Sequence, residues 1–173
     1  MHTWKPLLPF GASTIIETVV NTALEVCRDV VLVTGYRAEE LASVFSENRR
    51  VKIACNPDWK EGMLSSILAG IKLIEADKFF IVPGDMPFLK SAVYHSLIEA
   101  SPADVAYPEY NGRRGHPVLV DSGVIDTIYR IAGEKSSMRE ILHGLEYSVV
   151  QWKDDTIHKD LDTPIDYNND REV

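Results

Sequence analysis

The sequence predicts an α/β fold in which a mostly parallel β-sheet is covered by helices on both faces. Segments with a helical spacing of apolar residues alternate with short, continuous apolar segments. The turn sequence Asn111-Gly112 then interrupts this alternation between two strand-like segments, which predicts one antiparallel excursion. The chain has 173 residues, of which 45% are hydrophobic, so we expect residues 1–173 to form a single domain.

The first half of the chain shows the alternation most clearly. Ser13 and Thr14 form a helix-capping signal, and the apolar residues that follow keep a helical spacing up to Arg28. Residues 29–34 (DVVLVT) are a short apolar segment that ends at Gly35, which predicts a buried strand. The same reasoning predicts, in order, a helix over 38–46, a strand over 51–54, a helix over 62–76, a strand over 78–82 and a helix over 91–100.

The second half begins with the antiparallel excursion. Residues 104–108 and 116–120 read as strands on either side of YNGRRG, where the Asn-Gly pair favours a tight hairpin. The remaining predicted elements are helices over 122–131 and 136–142, a strand over 146–152 and a last short segment near 158–162.

Composition excludes several classes of partner. The net charge of -8 disfavours a nucleic acid or an anionic membrane surface as a binding partner, because both would repel the protein. The sequence has neither a signal-peptide pattern nor an apolar stretch of about 18 residues, so we expect a cytoplasmic location. Cys27 and Cys55 lie in apolar stretches without a CxxC motif, which predicts buried free thiols.

A lone carboxylate follows the strand predicted over 78–82, in FFIVPGDMPFL. Ligands of open parallel sheets bind beyond the carboxyl ends of the strands, which is where Asp85 lies. Gly84 permits close approach of the backbone to a ligand, and Pro83 and Pro87 restrict the conformations on either side. The alternative is that Asp85 caps the helix that Pro87 could begin.

A second carboxylate group occurs in HKDLDTPIDY. On an extended segment Asp160 and Asp162 project from the same face and Leu161 from the other. Separated aspartates of this kind can hold a hard divalent cation together with substrate phosphates. Asp162 has an alternative role as the N-cap of a helical turn that begins at Thr163-Pro164.

Four motifs in this order resemble the MobA-like nucleotidyltransferases, in particular the molybdenum cofactor cytidylyltransferase branch. They are NPDWKEGMLSSILAG, GDMPFL, GRRGHPV and KDLDTP, and the similarity extends from about residue 4 to residue 167. The resemblance implies a three-layer α/β/α Rossmann-like fold that transfers a nucleoside monophosphate from a nucleoside triphosphate (NTP) to a phosphorylated acceptor, with Mg²⁺ and release of pyrophosphate. It further implies CTP as the donor, molybdopterin as the acceptor and a molybdenum hydroxylase as a possible protein partner.

The resemblance also assigns roles to residues. Asp85, Asp160 and Asp162 would hold the metal, and Asp85 and Lys5 would be the catalytic groups. Lys5 would meet triphosphate oxygens as a point charge, whereas its local sequence alone favours a solvated lysine. The nucleotide-binding set would be Lys5, Asn56, Gly62, Ser65, Ser66, Gly84 and Asp85. The acceptor-binding set would be Arg114, His116, Lys135 and Arg139, although Lys135 and Arg139 also suit surface pairing with glutamates.

The start of the chain departs from the family pattern. The family opens with a strand and a glycine-rich loop of the LAAGxSxRMG type, whereas this sequence begins at MHTWKPLL, where that loop should be ending. We therefore expect the first strand and the glycine-rich loop to be missing from this N-terminally truncated domain. Two alternative functions remain open at this stage: nucleotidyl transfer to a sugar or alcohol phosphate, and an inactive accessory protein that binds molybdenum cofactor for a hydroxylase.

Overall fold

The computed structural model describes residues 4–100, 103–134 and 137–161. Its helices are α1 (Ile15–Leu24), α2 (Ala38–Val44), α3 (Met63–Ile71), α4 (Ser91–Glu99), α5 (Ile125–Ala132) and α6 (Met138–Leu142). Its strands are β1 (Pro9–Phe10), β2 (Ser13–Thr14), β3 (Val30–Thr34), β4 (Val51–Cys55), β5 (Lys78–Ile81), β6 (Val105–Tyr110), β7 (Arg113–Arg114), β8 (Val118–Asp121) and β9 (Tyr147–Gln151).

The main strands form two separately hydrogen-bonded groups. β3 and β4 pair in parallel, and a larger sheet has the order β5-β8-β6, with β7 and β9 both paired to β6. β8 is antiparallel to β5 and to β6, whereas β9 is parallel to β6. β5, β6 and β9 therefore run in one direction and end at the same edge, and the predicted fold with an antiparallel excursion is confirmed.

Helices cover both faces of the larger sheet. Val105 and Val120 are fully buried in a core with α3, α5 and α6. Their neighbours Ala106 and Leu119 pack in a second core with α1 and α4. Because successive strand residues point to opposite faces, this alternation produces the three layers that the sequence predicts.

The start of α1 is fixed by a capping box. The Thr14 hydroxyl accepts from the backbone N–H of Glu17 at 3.3 Å, and the Glu17 carboxylate accepts from the backbone N–H of Thr14 at 3.0 Å. The buried residues Ile16 and Val20 of α1 then pack in a third core with Leu32 of β3. Helix α1 thus holds the β3-β4 pair and the larger sheet in one body.

Some boundaries differ from the sequence predictions. Helix α3 ends at Ile71 rather than at residue 76, because the next bonds tighten to a 3₁₀ pattern, Leu73 to Gly70 and Ile74 to Ile71. The expected burial of both thiols is wrong, because Cys27 is only half-buried and Cys55 is exposed. Cys55 is exposed because it ends β4, which has one hydrogen-bonded neighbour among the described strands.

The hairpin between β6 and β7 has the predicted turn. Asn111 and Gly112 both have positive φ, 51° and 74°, as a type I′ connection requires. Just after β7, Gly115 passes close to the chain near Ile157, and its backbone N–H donates to the carbonyl of Pro108 at 2.8 Å. A Cβ on Gly115 would lie 2.4 Å from the carbonyl oxygen of Ile157. This contact leaves room for glycine only.

We expect Gly115→Ala to lower the free energy of unfolding by about 2–3 kcal/mol, since backbone would have to move. The matched control is Gly133→Ala, where a Cβ meets nothing within 4 Å and φ is -68°. That variant should be neutral or more stable by about 0.5 kcal/mol. Urea unfolding measures both. Equal midpoints for the two variants would contradict the close approach of Gly115 to Ile157.

Candidate active site

Two carboxylate segments meet beyond the carboxyl end of β5. The backbone N–H of Leu161 donates a hydrogen bond of 3.0 Å to the backbone carbonyl of Asp85. The loop after β5 and the segment that contains Asp160 are therefore adjacent, although they are far apart in the sequence. This is the edge of the sheet at which ligands of α/β proteins bind.

Leu161 anchors this arrangement. Its side chain is 1% exposed and packs with Phe10 and Ile15, while Phe88 from the loop after β5 contacts Phe10 edge to face at 5.3 Å. With Leu161 turned into this small core, its neighbour Asp160 is exposed. Asp162, the third predicted metal ligand, lies outside the described residues.

Asp85 and Asp160 suit a hard divalent cation. Carboxylate oxygens are the ligands that Mg²⁺ prefers, usually one or two together with phosphates of the substrate. Within 4–100, 103–134 and 137–161, no three His, Cys, Asp or Glu side chains form a metal-binding group. Asp85 and Asp160 thus offer carboxylate oxygens on two adjacent segments of the chain.

His116 lies beside this carboxylate pair. Its backbone N–H donates to the carbonyl of Ile157 at 2.9 Å, and its buried Nδ1 has no hydrogen-bond partner in the described part of the chain. Burial lowers the pKa of His116, against a smaller raising effect from the Ile81 backbone and from the Asp160 charge. The lowered pKa favours the neutral imidazole, and its buried Nδ1 is left to accept a hydrogen bond.

Asn56 organises the loop between β4 and α3. It is 3% exposed, and its side-chain amide donates to the hydroxyls of Ser65 and Ser66, each at 3.0 Å. Its Oδ1 accepts from the backbone N–H of Asp58 at 3.0 Å. Ser65 Oγ in turn lies 2.9 Å from the carbonyl oxygen of Gly62. Both amide hydrogens of Asn56 are thus used within the protein. Its Oδ1 keeps a second lone pair that could accept a hydrogen bond from a ligand.

The predicted glycines and Lys5 lie in turns between the regular elements. Gly62 has a φ of 102° and precedes the first residue of α3, a conformation that favours glycine. Gly84 has no positive φ, but a Cβ there would lie 3.1 Å from Cδ1 of Ile16. Lys5 begins a 3₁₀ turn, and its backbone carbonyl accepts a hydrogen bond of 2.9 Å from the backbone N–H of Leu8.

Arg114 is held by aromatic rings. Its guanidinium carbon lies 3.9 Å from the ring centroid of Tyr147 and 5.1 Å from that of Tyr107. Burial raises the pKa of Tyr107, and the charge of Arg114 opposes this rise. Arg139, exposed on α6, also lies near enough for its charge to lower the pKa of Tyr107. Lys135 lies outside the described residues. Sequence reasoning missed the two tyrosines, because they come from β6 and β9 and only strand pairing brings them together.

This fold, with carboxylates beyond the carboxyl end of β5, places the protein in the class of three-layer α/β/α proteins that bind ligands at this edge of the sheet. Solved structures agree on the fold. A nucleotidyl transferase from Methanothermobacter matches with a TM-score of 0.81 at 21% identity, over 97% of this chain and 83% of that one. A molybdopterin-guanine dinucleotide biosynthesis protein A from Archaeoglobus fulgidus matches with a TM-score of 0.73 at 18% identity, over 99% and 90% of the two chains.

The sequence comparisons identify the family. The model of the MobA-like NTP transferase domain matches residues 1–150, and the chain therefore belongs to this family. A molybdenum cofactor cytidylyltransferase from Escherichia coli is 31% identical over 96% of this chain and 86% of its own length. A nicotine blue oxidoreductase from Paenarthrobacter nicotinovorans is 28% identical over 92% of this chain and 83% of its own. Among the helices that the structure describes, none has the length and apolar character needed to cross a membrane.

Replacing Asn56 by alanine should destabilise the protein by about 2 kcal/mol, because three buried hydrogen bonds lose their shared partner. Asn48→Ala is the control: Asn48 makes an exposed bond, its Oδ1 accepting from the N–H of Arg50 at 3.1 Å. Loss of this hydrogen bond should lower the free energy of unfolding by less than about 1 kcal/mol. Chemical denaturation measures both values, and equal losses would mean that the Asn56 network does not stabilise the loop.

Acidification should weaken the metal-free protein through His116. Because the folded-state pKa is lowered, the unfolded chain binds the proton first, and stability falls as the pH drops below about 6.5. His116→Gln removes this contribution and should reduce the loss of stability between pH 7.5 and 5.5. Thermal melts across this range measure the difference. Identical pH dependence in both proteins would show that His116 titrates normally in the folded state.

Proposed function

We propose that this protein is a nucleotidyltransferase that transfers CMP from CTP to molybdopterin with release of pyrophosphate. The single observation that carries the proposal is the hydrogen bond between Leu161 and Asp85, which brings two carboxylate segments to the carboxyl edge of β5. Membership of the MobA-like NTP transferase family supports the reaction type. The cytidylyltransferase name of the relative at 31% identity supports CTP and a molybdenum cofactor acceptor.

Asp85 and Asp160, with Asp162, would hold the divalent cation that this reaction needs, and Mg²⁺ is the candidate. When bound, such a cation neutralises triphosphate charge and orients the α-phosphate. Lys5 would add a positive charge for the triphosphate oxygens. Asn56, Gly62, Ser65, Ser66 and Gly84 would line the nucleotide side of the site.

In the proposed reaction a phosphate oxygen of the acceptor attacks the α-phosphorus of CTP. A new P–O bond forms as the bond to the bridging oxygen breaks, and that electron pair leaves with pyrophosphate. No covalent intermediate with a protein side chain is needed, so the chain contributes charge and alignment. The exposed Asp160 and the half-buried Asp85 suit this role, because the backbone bond between Leu161 and Asp85 holds their segments together beyond the carboxyl end of β5.

The acceptor side of the site would be formed by His116, Arg114, Arg139 and Lys135. In the neutral imidazole of His116 one ring nitrogen pairs with the backbone of Ile81, so Nδ1 would accept a hydrogen bond from an N–H or O–H group of the acceptor. Arg114 is pre-oriented by its two tyrosines, so binding an anion costs it little side-chain freedom. A molybdenum hydroxylase is the protein partner that would receive the product.

Asp85→Asn should lower pyrophosphate release by at least about 100-fold, since it removes charge from the cation site without changing side-chain shape. The assay supplies Mg²⁺, molybdopterin and CTP, GTP or ATP in turn. Asp126→Asn, an exposed carboxylate in the first turn of α5, is the control and should keep wild-type activity.

The outcomes separate the alternatives. Turnover with CTP that Asp85→Asn abolishes supports the proposal. Turnover with GTP instead of CTP would show that guanine is the base of the donor nucleotide. Pyrophosphate release that requires a sugar or alcohol phosphate in place of molybdopterin would show that the protein is a nucleotidyltransferase for that acceptor. Nucleotide binding without pyrophosphate release from the folded protein would favour the accessory role.

A further inference from the structure

A pair of exposed aromatic rings stands at the carboxyl ends of β3 and β4. Tyr36 follows β3 by two residues and is 58% exposed, and Trp59 lies in the loop after β4 and is 38% exposed. Their ring centroids are 5.7 Å apart and the ring planes are inclined by 54°. The two rings therefore form one angular apolar surface that is open to solvent.

The structure holds this pair in place. Gly35 passes directly beneath Trp59, since a Cβ on Gly35 would lie 2.5 Å from the Cβ and 2.7 Å from the Cγ of Trp59. Trp59 is thus fixed against the backbone between β3 and Tyr36. Neither ring belongs to one of the hydrophobic cores of the described residues, so burial does not explain their position.

The surroundings of the rings suit an anionic ligand with a flat ring. Lys60 Nζ lies 5.5 Å from the ring centroid of Trp59, and it is a local positive charge on a chain of net charge -8. The nearby Arg37 is less available, because it is paired with Glu40 at 2.5 Å and lies over the ring of Trp4. Lys60 is therefore the cation that a bound phosphorylated ligand would meet at this surface.

The position of the pair favours the donor nucleotide over the acceptor. Trp59 lies between Asn56 and Gly62, in the loop whose hydrogen bonds fix Ser65 and Ser66 at the start of α3. The residues proposed for the acceptor lie instead around β7 and α6, on the other group of strands. The aromatic pair therefore adjoins the loop proposed for the nucleotide rather than the residues proposed for the acceptor.

We infer that Tyr36 and Trp59 form the stacking surface for the base of the nucleoside triphosphate. Base stacking on aromatic side chains tolerates any base, because every base presents a π-face. The pair would thus contribute affinity for the nucleoside without selecting between CTP and GTP. This inference rests on the proposed function, because it names residues for the nucleotide of that same site.

The test compares nucleotide binding with binding of inorganic tripolyphosphate, which has the phosphates but no base. Calorimetric titrations with CTP, GTP and tripolyphosphate are made on the full chain in Mg²⁺. Trp59→Leu and Tyr36→Leu should each weaken CTP and GTP about tenfold and leave tripolyphosphate unchanged. Trp59→Phe and Tyr36→Phe are matched controls that keep a ring and should keep most of the affinity.

A spectroscopic readout tests stacking directly. In a Trp4→Phe, Trp152→Phe background Trp59 is the remaining tryptophan, and CTP should quench its fluorescence whereas tripolyphosphate should not. Far-UV circular dichroism and thermal melts verify that each variant is folded. Tyr36→Leu provides the test if Trp59→Leu does not fold, because the more exposed ring is less involved in packing.

The results distinguish failure of this inference from failure of the proposed function. Unchanged CTP and GTP affinity in a folded leucine variant would overturn the stacking role alone. The stacking role alone would also be overturned if CTP bound the wild-type protein no more tightly than tripolyphosphate does. Absence of binding to all three ligands by the wild-type protein would overturn the proposed function and the stacking role together. A loss of affinity for CTP and GTP in the leucine variants, with unchanged affinity for tripolyphosphate, supports both the stacking role and the proposed function.

Discussion

The candidate site depends on one backbone hydrogen bond, from the N–H of Leu161 to the carbonyl of Asp85. The bond is effective because Leu161 itself is buried with Phe10 and Ile15, so the segment around Asp160 is fixed by packing as well as by polar pairing. Three distant parts of the chain meet in this small core. A substitution that loosened it would separate the carboxylates before it affected the sheet.

The scaffold explains why these contacts can be maintained. β5, β6 and β9 run in the same direction, and the antiparallel β8 joins β5 to β6 with fully buried residues such as Val120. The larger sheet is therefore a packed scaffold, and the loop that carries Asp85 follows the carboxyl end of its strand β5. This division between a packed scaffold and functional loops is common in α/β proteins.

Charge is distributed in a way that suits an anionic substrate. The chain is acidic overall, yet two basic side chains of the proposed site lie over aromatic rings. Arg114 lies over Tyr107 and Tyr147, and Lys60 lies over Trp59. Such stacking keeps a cation oriented while its charge stays available, which lowers the entropic cost of binding a phosphate. In the proposed function, the carboxylates of Asp85 and Asp160 would need a bound cation before they could face a triphosphate.

The sequence by itself determined the order and type of most elements and the place of the carboxylate loop. These follow from local rules: the spacing of apolar residues, the Thr14 cap and the Asn111-Gly112 turn all act over a few neighbouring residues. Only the tertiary structure decided that the amide hydrogens of Asn56 are used on Ser65 and Ser66 of α3 and that Arg114 lies near the rings of two tyrosines. It likewise decided that Tyr36 and Trp59 meet. Each of these contacts joins residues from different elements, and their geometry depends on strand pairing and helix packing that no local pattern encodes.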